Sequence, residues 1–236
     1  MSLTLRNRQP FRLVADPDGP HKFGGDSSLQ GAVPRDSNVP VQLALSLDLS
    51  DPAIPIESEI GLSTLPLCYP FKYGCGGPEM QYTVLSDKEI QIVFLSDLKA
   101  DAPDEQYIQV SQLPEATFRL EPLSYEQARI LGFMNVDAHF QPNKFDWNIL
   151  NELDTQILIL IGGYNPQIWD SMGTVCYNPK CVRFNKRVNF ESISLLPPIS
   201  VDGADEFWYE FQGAHMQFCF GLCRYCGAVF ATNIAS

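Results

Sequence analysis

The stretch HMQFCFGLCRYCG, residues 215–227, sets strand and metal chemistry side by side. Met216, Phe218, Phe220 and Leu222 alternate with Gln217, Cys219 and Gly221, the period of two expected of a half-buried strand. The strand runs into Cys223-Arg-Tyr-Cys226-Gly227, a C-x-x-C turn closed by glycine, in which backbone amides face the sulfurs. Gly227-Ala-Val-Phe-Ala-Thr then continues as strand, so the whole reads as a hairpin with a metal-binding tip.

About forty residues upstream, VCYNPKCVRF supplies Cys176 and Cys181 in a C-x-x-x-x-C loop held open by Asn178 and Pro179. Four thiolates at these spacings close a tetrahedron with bonds of roughly 2.3 Å, the closed geometry of a structural zinc site with no vacancy for water or substrate. Cys219 is a rival ligand. Four residues of strand set it about 13 Å from Cys223, too far to share one ion, and it reads as a small buried hydrophobe. Cys68 and Cys75 lack a knuckle and read as ordinary thiols. An odd total of seven cysteines also argues against a disulfide framework. A thioredoxin-like C-x-x-C would open a helix, whereas this one lies between strands.

The N-terminal MSLTLRNRQPFRLVADPDG has no apolar core of signal-peptide length, and no later segment is long enough to span a membrane, so a cytoplasmic protein is expected. Net charge is −12 over 236 residues, which repels phosphate backbones and anionic lipid and favours a basic protein partner over nucleic acid. Lys180, Arg183, Lys186, Arg187 and Arg224 are a local exception. Their simplest role is to offset the formal charge of −2 on a zinc tetrathiolate; an anion or RNA contact is the alternative.

HKFGG at 21–25 is echoed by LIGG at 160–163, and each is followed by a loop and an alternating strand, 39–49 in the first case and 215–222 in the second. The cysteine loop is then an insertion in the second half, pinned by metal against the last hairpin. Between the echoes, 65–73, 80–85, 89–94 and 116–120 read as strands, with 86–88 as a hairpin turn. Ser124-Tyr-Glu-Gln127 is a capping box for a short helix ending at Gly132, and 146–153 reads as a second helix. The expected fold is α+β: mostly antiparallel sheet, few helices, and two pseudo-repeated halves, 15–123 and 124–236, in a single domain.

The order HKFGG, PVQLALSLDL, LPLCYPFKYGCGG, MQYTV, LIGGYNPQIW resembles the YwqG-like family of bacterial proteins. The series GGYNPQIW, CYNPKC, HMQFCFGLCRYCG is also similar to the eukaryotic programmed cell death protein two family. The first resemblance implies a mixed α+β fold with no established activity, and some of its relatives look like toxin-immunity proteins. The second implies the escort of a newly made ribosomal protein.

No nucleophile elbow, P-loop, dinucleotide fingerprint or H-E-x-x-H helix is present, nor the H-x-E of a zinc deaminase. His21, His139 and His215 are isolated, and Asp202, Asp205 and Glu206 read as a solvated loop. No catalytic residue is assigned. The expected function is a zinc-stabilised protein-binding module, an escort or immunity-type partner of a basic protein. An enzyme with an unrecognised site and a nucleic-acid-binding zinc protein are the alternatives.

Overall fold

The computed structural model describes residues 3–6, 9–25, 28–35, 40–70, 79–96, 113–128, 130, 147–149, 159–161, 174–188, 190–196 and 216–235. Before the midpoint lie β1 (Leu3–Leu5), β2 (Phe11–Ala15), β3 (His21–Phe23), β4 (Gln42–Asp48), β5 (Ile56–Ser58), β6 (Thr64–Tyr69), β7 (Met80–Ser86) and β8 (Glu89–Leu95). Then follow β9 (Ala116–Pro122), β10 (Ile159–Ile161), β11 (Thr174–Val175), β12 (Arg187–Val188), β13 (Phe190–Leu196), β14 (Met216–Cys223) and β15 (Val229–Ala235). The expected strands at 39–49, 80–85, 89–94, 116–120 and 215–222 are therefore present as β4, β7, β8, β9 and β14. The one at 65–73 appears as β6, and its end lies outside the described residues.

Eleven strands form one sheet in the order β6-β4-β3-β9-β2-β10-β13-β14-β15-β7-β8. Every pairing in it is antiparallel. Helix is scarce: among the described residues, short helical stretches occur at 125–128 and 147–149. The capping box is formed reciprocally, Gln127 N donating to Ser124 Oγ at 3.1 Å and Ser124 N to Gln127 Oε1 at 2.8 Å. The β7–β8 hairpin from the first half of the chain pairs with β15 at the far end, so strands from both sides of residue 124 share one sheet.

The sheet rolls. Tyr82 on β7 donates its hydroxyl hydrogen to Pro66 O at 2.9 Å and accepts the Cys68 amide at 2.9 Å, which ties β6 at one edge to a strand near the other. Tyr69 on β6 meets Phe218 on β14 edge-on, with centroids 4.6 Å apart. The main core fills the space between, from Leu13, Phe23 and Leu45 to Tyr82, Phe218 and Phe220. Cys68 is buried there, and burial pushes its thiol up to about 12, so it is an inert packing group.

A second core lies on the other side of β14 and β15. Phe218, Phe220 and Leu222 enter the first core while Cys219 and Cys223 enter the second. On β15, Val229 and Ala231 take the first and Phe230 the second. The period-two reading is thus realised over 218–223, but the strand is covered on both faces rather than half-buried as expected, because the second core lies against the side that carries the cysteines.

Two sites at the β3–β4 corner show how tightly this frame is specified. Gly24 has φ 61°, and a Cβ there would lie 2.2 Å from the Pro114 carbonyl oxygen. Gly24→Ala is therefore expected to cost about 1–3 kcal/mol in denaturant unfolding. The second glycine pair, Gly162 and Gly163, lies outside the described residues, as do Cys75, His139, His215 and the Asp202 to Glu206 run.

His21 is fully buried; its Nδ1 accepts the Asp48 amide at 3.1 Å and its Nε2 lies 3.1 Å from Asp51 Oδ2. Burial holds its pKa below the ordinary 6.5, against the opposing pull of the Asp51 hydrogen bond and the Asp51 and Asp48 charges. The unfolded chain thus binds the proton more readily, and stability present above about pH 6.5 is lost as pH falls through the lowered native value. Urea midpoints at about pH 8 and about pH 5 should differ less for His21→Asn than for the wild type; an unchanged difference would assign the acid sensitivity elsewhere.

Candidate metal centre

β11 and β12 form a two-stranded ribbon whose loop, residues 176–186, carries the first cysteine pair. The loop closes on itself through Cys176 N to Lys186 O at 3.2 Å and Asn185 N to Cys176 O at 2.9 Å. Asn185 takes φ 55°, which asparagine tolerates better than most residues. The second pair sits in the β14–β15 turn, where Cys223 N donates to Ala228 O and Gly227 N to Cys223 O, both at 2.8 Å. Gly227 has φ 68°, the positive value the C-x-x-C-G pattern predicts.

The two turns bring the sulfurs of Cys176, Cys181, Cys223 and Cys226 within 4.8 Å of one another. Cys176 Sγ lies 3.8 Å from Cys226 Sγ, and Cys181 Sγ 4.0 Å from Cys223 Sγ. A tetrahedron with metal–sulfur bonds of about 2.3 Å has edges of about 3.8 Å. The four expected ligands are therefore brought together with the spacing that holds a metal ion. Cys219, 1% exposed in β14, stands outside the cluster and packs in the second core, as its strand position predicts.

Each sulfur takes a backbone amide from the residue two positions on: Asn178 for Cys176, Arg183 for Cys181, Tyr225 for Cys223 and Ala228 for Cys226. Such bonds favour the thiolate over the thiol. Asn178, 4% exposed, accepts the Lys180 amide on Oδ1 at 3.0 Å and also hydrogen-bonds Cys226 through its side chain. Without an ion, the cluster shares its protons unevenly. Hydrogen bonds with Cys223 and Cys226, then burial, push the Cys176 thiol well above its ordinary range. Bonds from Cys176 and Cys223 hold Cys226 far below it. A bound cation removes this competition by accepting all four as thiolates.

Sequence reasoning missed Gln81. It is fully buried on β7 and brackets Cys176, with Nε2 donating to Val175 O at 2.7 Å and Oε1 accepting the Tyr177 amide at 2.9 Å. Tyr177 also stacks on Phe94 of β8, centroids 4.0 Å apart. The advance signal was weak: a glutamine between Met80 and Tyr82 in a strand that also carries Thr83 and Ser86. Gln81→Leu keeps the bulk and removes both bonds, so the affinity of the cysteine cluster for an added metal ion, measured by chelator competition, should fall by about 10–100-fold. Unchanged affinity in a folded variant would show that the ribbon positions Cys176 unaided.

No family model matches the chain, and no curated protein or solved structure matches it; the family resemblances rest on their short motifs.

Proposed function

We propose that the chain is a non-catalytic protein-binding module whose C-terminal cysteines hold one structural zinc ion. The convergence of four sulfurs at near-tetrahedral spacing, each with its own amide, carries the metal half of this reading. Four protein ligands fill a tetrahedral ion, leaving no position at which substrate or water is activated. Tetrahedral S4 sites suit zinc or iron, and we take zinc as the ion, an assignment that elemental analysis tests below. The binding half rests on charge. A body with net charge −12 is suited to a basic partner, in the manner of an escort or immunity protein.

The strand order also supports an internal duplication. β3 and β10 each precede a double glycine and each pair antiparallel with a following long strand, β4 and β13; their other neighbours, β9 and β2, pair with each other. The counterpart of β4 is then β13 rather than β14.

Elemental analysis of chelator-free protein should find one zinc per chain. Cys223→Ser should remove the metal and lower the melting temperature, whereas Cys68→Ala should leave metal content unchanged. Iron, or no metal, in the wild type would overturn the zinc assignment. For the binding half, a tagged zinc-replete chain should co-purify a basic protein stoichiometrically, and recovery of nucleic acid alone would overturn it.

A further inference from the structure

The surface over the cysteines carries the opposite charge to the chain as a whole. Residues 176–188 and 223–228 contain Lys180, Arg183, Lys186, Arg187 and Arg224, five of the sixteen lysines and arginines, and none of the twenty-eight acidic residues. All five are exposed, and the ion pairs found among the described residues join other side chains. A zinc tetrathiolate has a formal charge of about −2, so five cations exceed what the metal centre needs.

Apolar groups are interleaved with them. Val182 is 78% exposed, Phe184 43% and Tyr225 41%. The guanidinium carbons of Arg183 and Arg224 lie 5.3 and 5.6 Å from the Tyr225 ring centroid, within cation–π range. At Tyr225 opens a cavity of about 390 Å³, lined also by Lys180, Asn178 and Cys226 and by the aliphatic Leu3, Val84 and Leu85. Among the described residues, no carboxylate lines it.

We propose that this face docks an acidic segment of a partner protein, whose carboxylates meet the five cations while one apolar side chain enters the cavity. The proposal rests on the protein-binding reading above and gives the sign of charge at this face: the partner that suits the acidic body is basic, but the segment that suits the cysteine module is acidic. Clustered tyrosine and arginine are the residues in which interface energy concentrates. Single-stranded nucleic acid is also anionic and finds stacking faces in Phe184 and Tyr225, but exposed Val182 and the aliphatic Leu3, Val84 and Leu85 of the cavity lining favour an apolar amino-acid side chain there, and the uridine probe below sets the two against each other.

The test is selection of a random dodecapeptide display library on the zinc-loaded full chain, followed by titration of the enriched peptides and of a fluorescent uridine dodecamer. Enriched peptides should combine Asp or Glu with Leu, Phe or Trp and should bind more tightly than the uridine probe. Their affinity should fall at least about tenfold for Arg183→Glu/Lys186→Glu and for Tyr225→Ala. Absence of enrichment, enrichment of Lys- and Arg-rich peptides, full binding to the variants or tighter binding of the uridine probe would each overturn the docking face. Zinc content measured on the same samples separates the two readings. Acidic peptides selected by a zinc-free chain would retire the zinc assignment and leave the face standing, whereas a zinc-loaded chain that selects none would retire the face alone. A variant that retains full zinc has kept its cysteine module.

Discussion

Four sulfurs within 4.8 Å of one another, three of them buried, cannot all carry negative charge unless a cation lies among them. The local backbone is arranged around that constraint. Two turns from distant parts of the chain each deliver two sulfurs, each sulfur receives an amide from two residues on, and a buried asparagine side chain adds a further bond to Cys226. A ribbon of two-residue strands buries little by itself, so its position depends on this cluster and on the few contacts it makes with the sheet.

Much of this was legible because it is local. Glycine after C-x-x-C specifies a positive φ, and the alternation in 216–222 specifies a strand whose odd positions face away from its even ones. The exclusion of Cys219 followed from the rise of a strand and needed no tertiary information. Other elements were illegible for definite reasons. β13 contains a register shift between Ser192 and Ser194, which breaks the alternation that marks a strand. β3 and β10 have three residues each, too few to show a period. The Gln81 clamp joins residues separated by 94 and 96 positions, and nothing near Gln81 indicates which backbone groups it will meet.

Net charge is a poor guide to a surface when charge is segregated. The value of −12 describes the whole chain, whereas the cysteine module contributes only cations. At physiological ionic strength, fields between exposed charges are screened over about 8 Å, so a segment docked there would respond to the five cations beside it more than to charges farther off. The excess negative charge still slows the approach of any anionic partner. Such a partner therefore gains less in association rate than in the lifetime of the docked state.

Strand β7 joins the two cores. Consecutive residues on it point to opposite faces: Tyr82 inward, where it fastens β6 and closes the roll of the sheet, and Gln81 outward, where it fastens the loop that presents Cys176. Both are fully buried. Buried polar groups left without partners are costly, so β7 has one register at which both sets of bonds are made, and a slip of one residue would exchange the two faces and lose them together. The β14–β15 hairpin is bound by the same logic, with Phe218, Phe220, Leu222, Val229 and Ala231 on the first-core face and Cys219, Cys223 and Phe230 on the other. Because β15 also pairs with β7, the cysteines delivered by the hairpin and the ribbon held by Gln81 are aligned through one antiparallel register, Val229 opposite Tyr82 and Phe230 opposite Gln81. Strand pairing in the sheet therefore places the hairpin sulfurs and Gln81 together, Gln81 brings the ribbon's Cys176 to them, and an ion bound there would stabilise a register that the packing already selects.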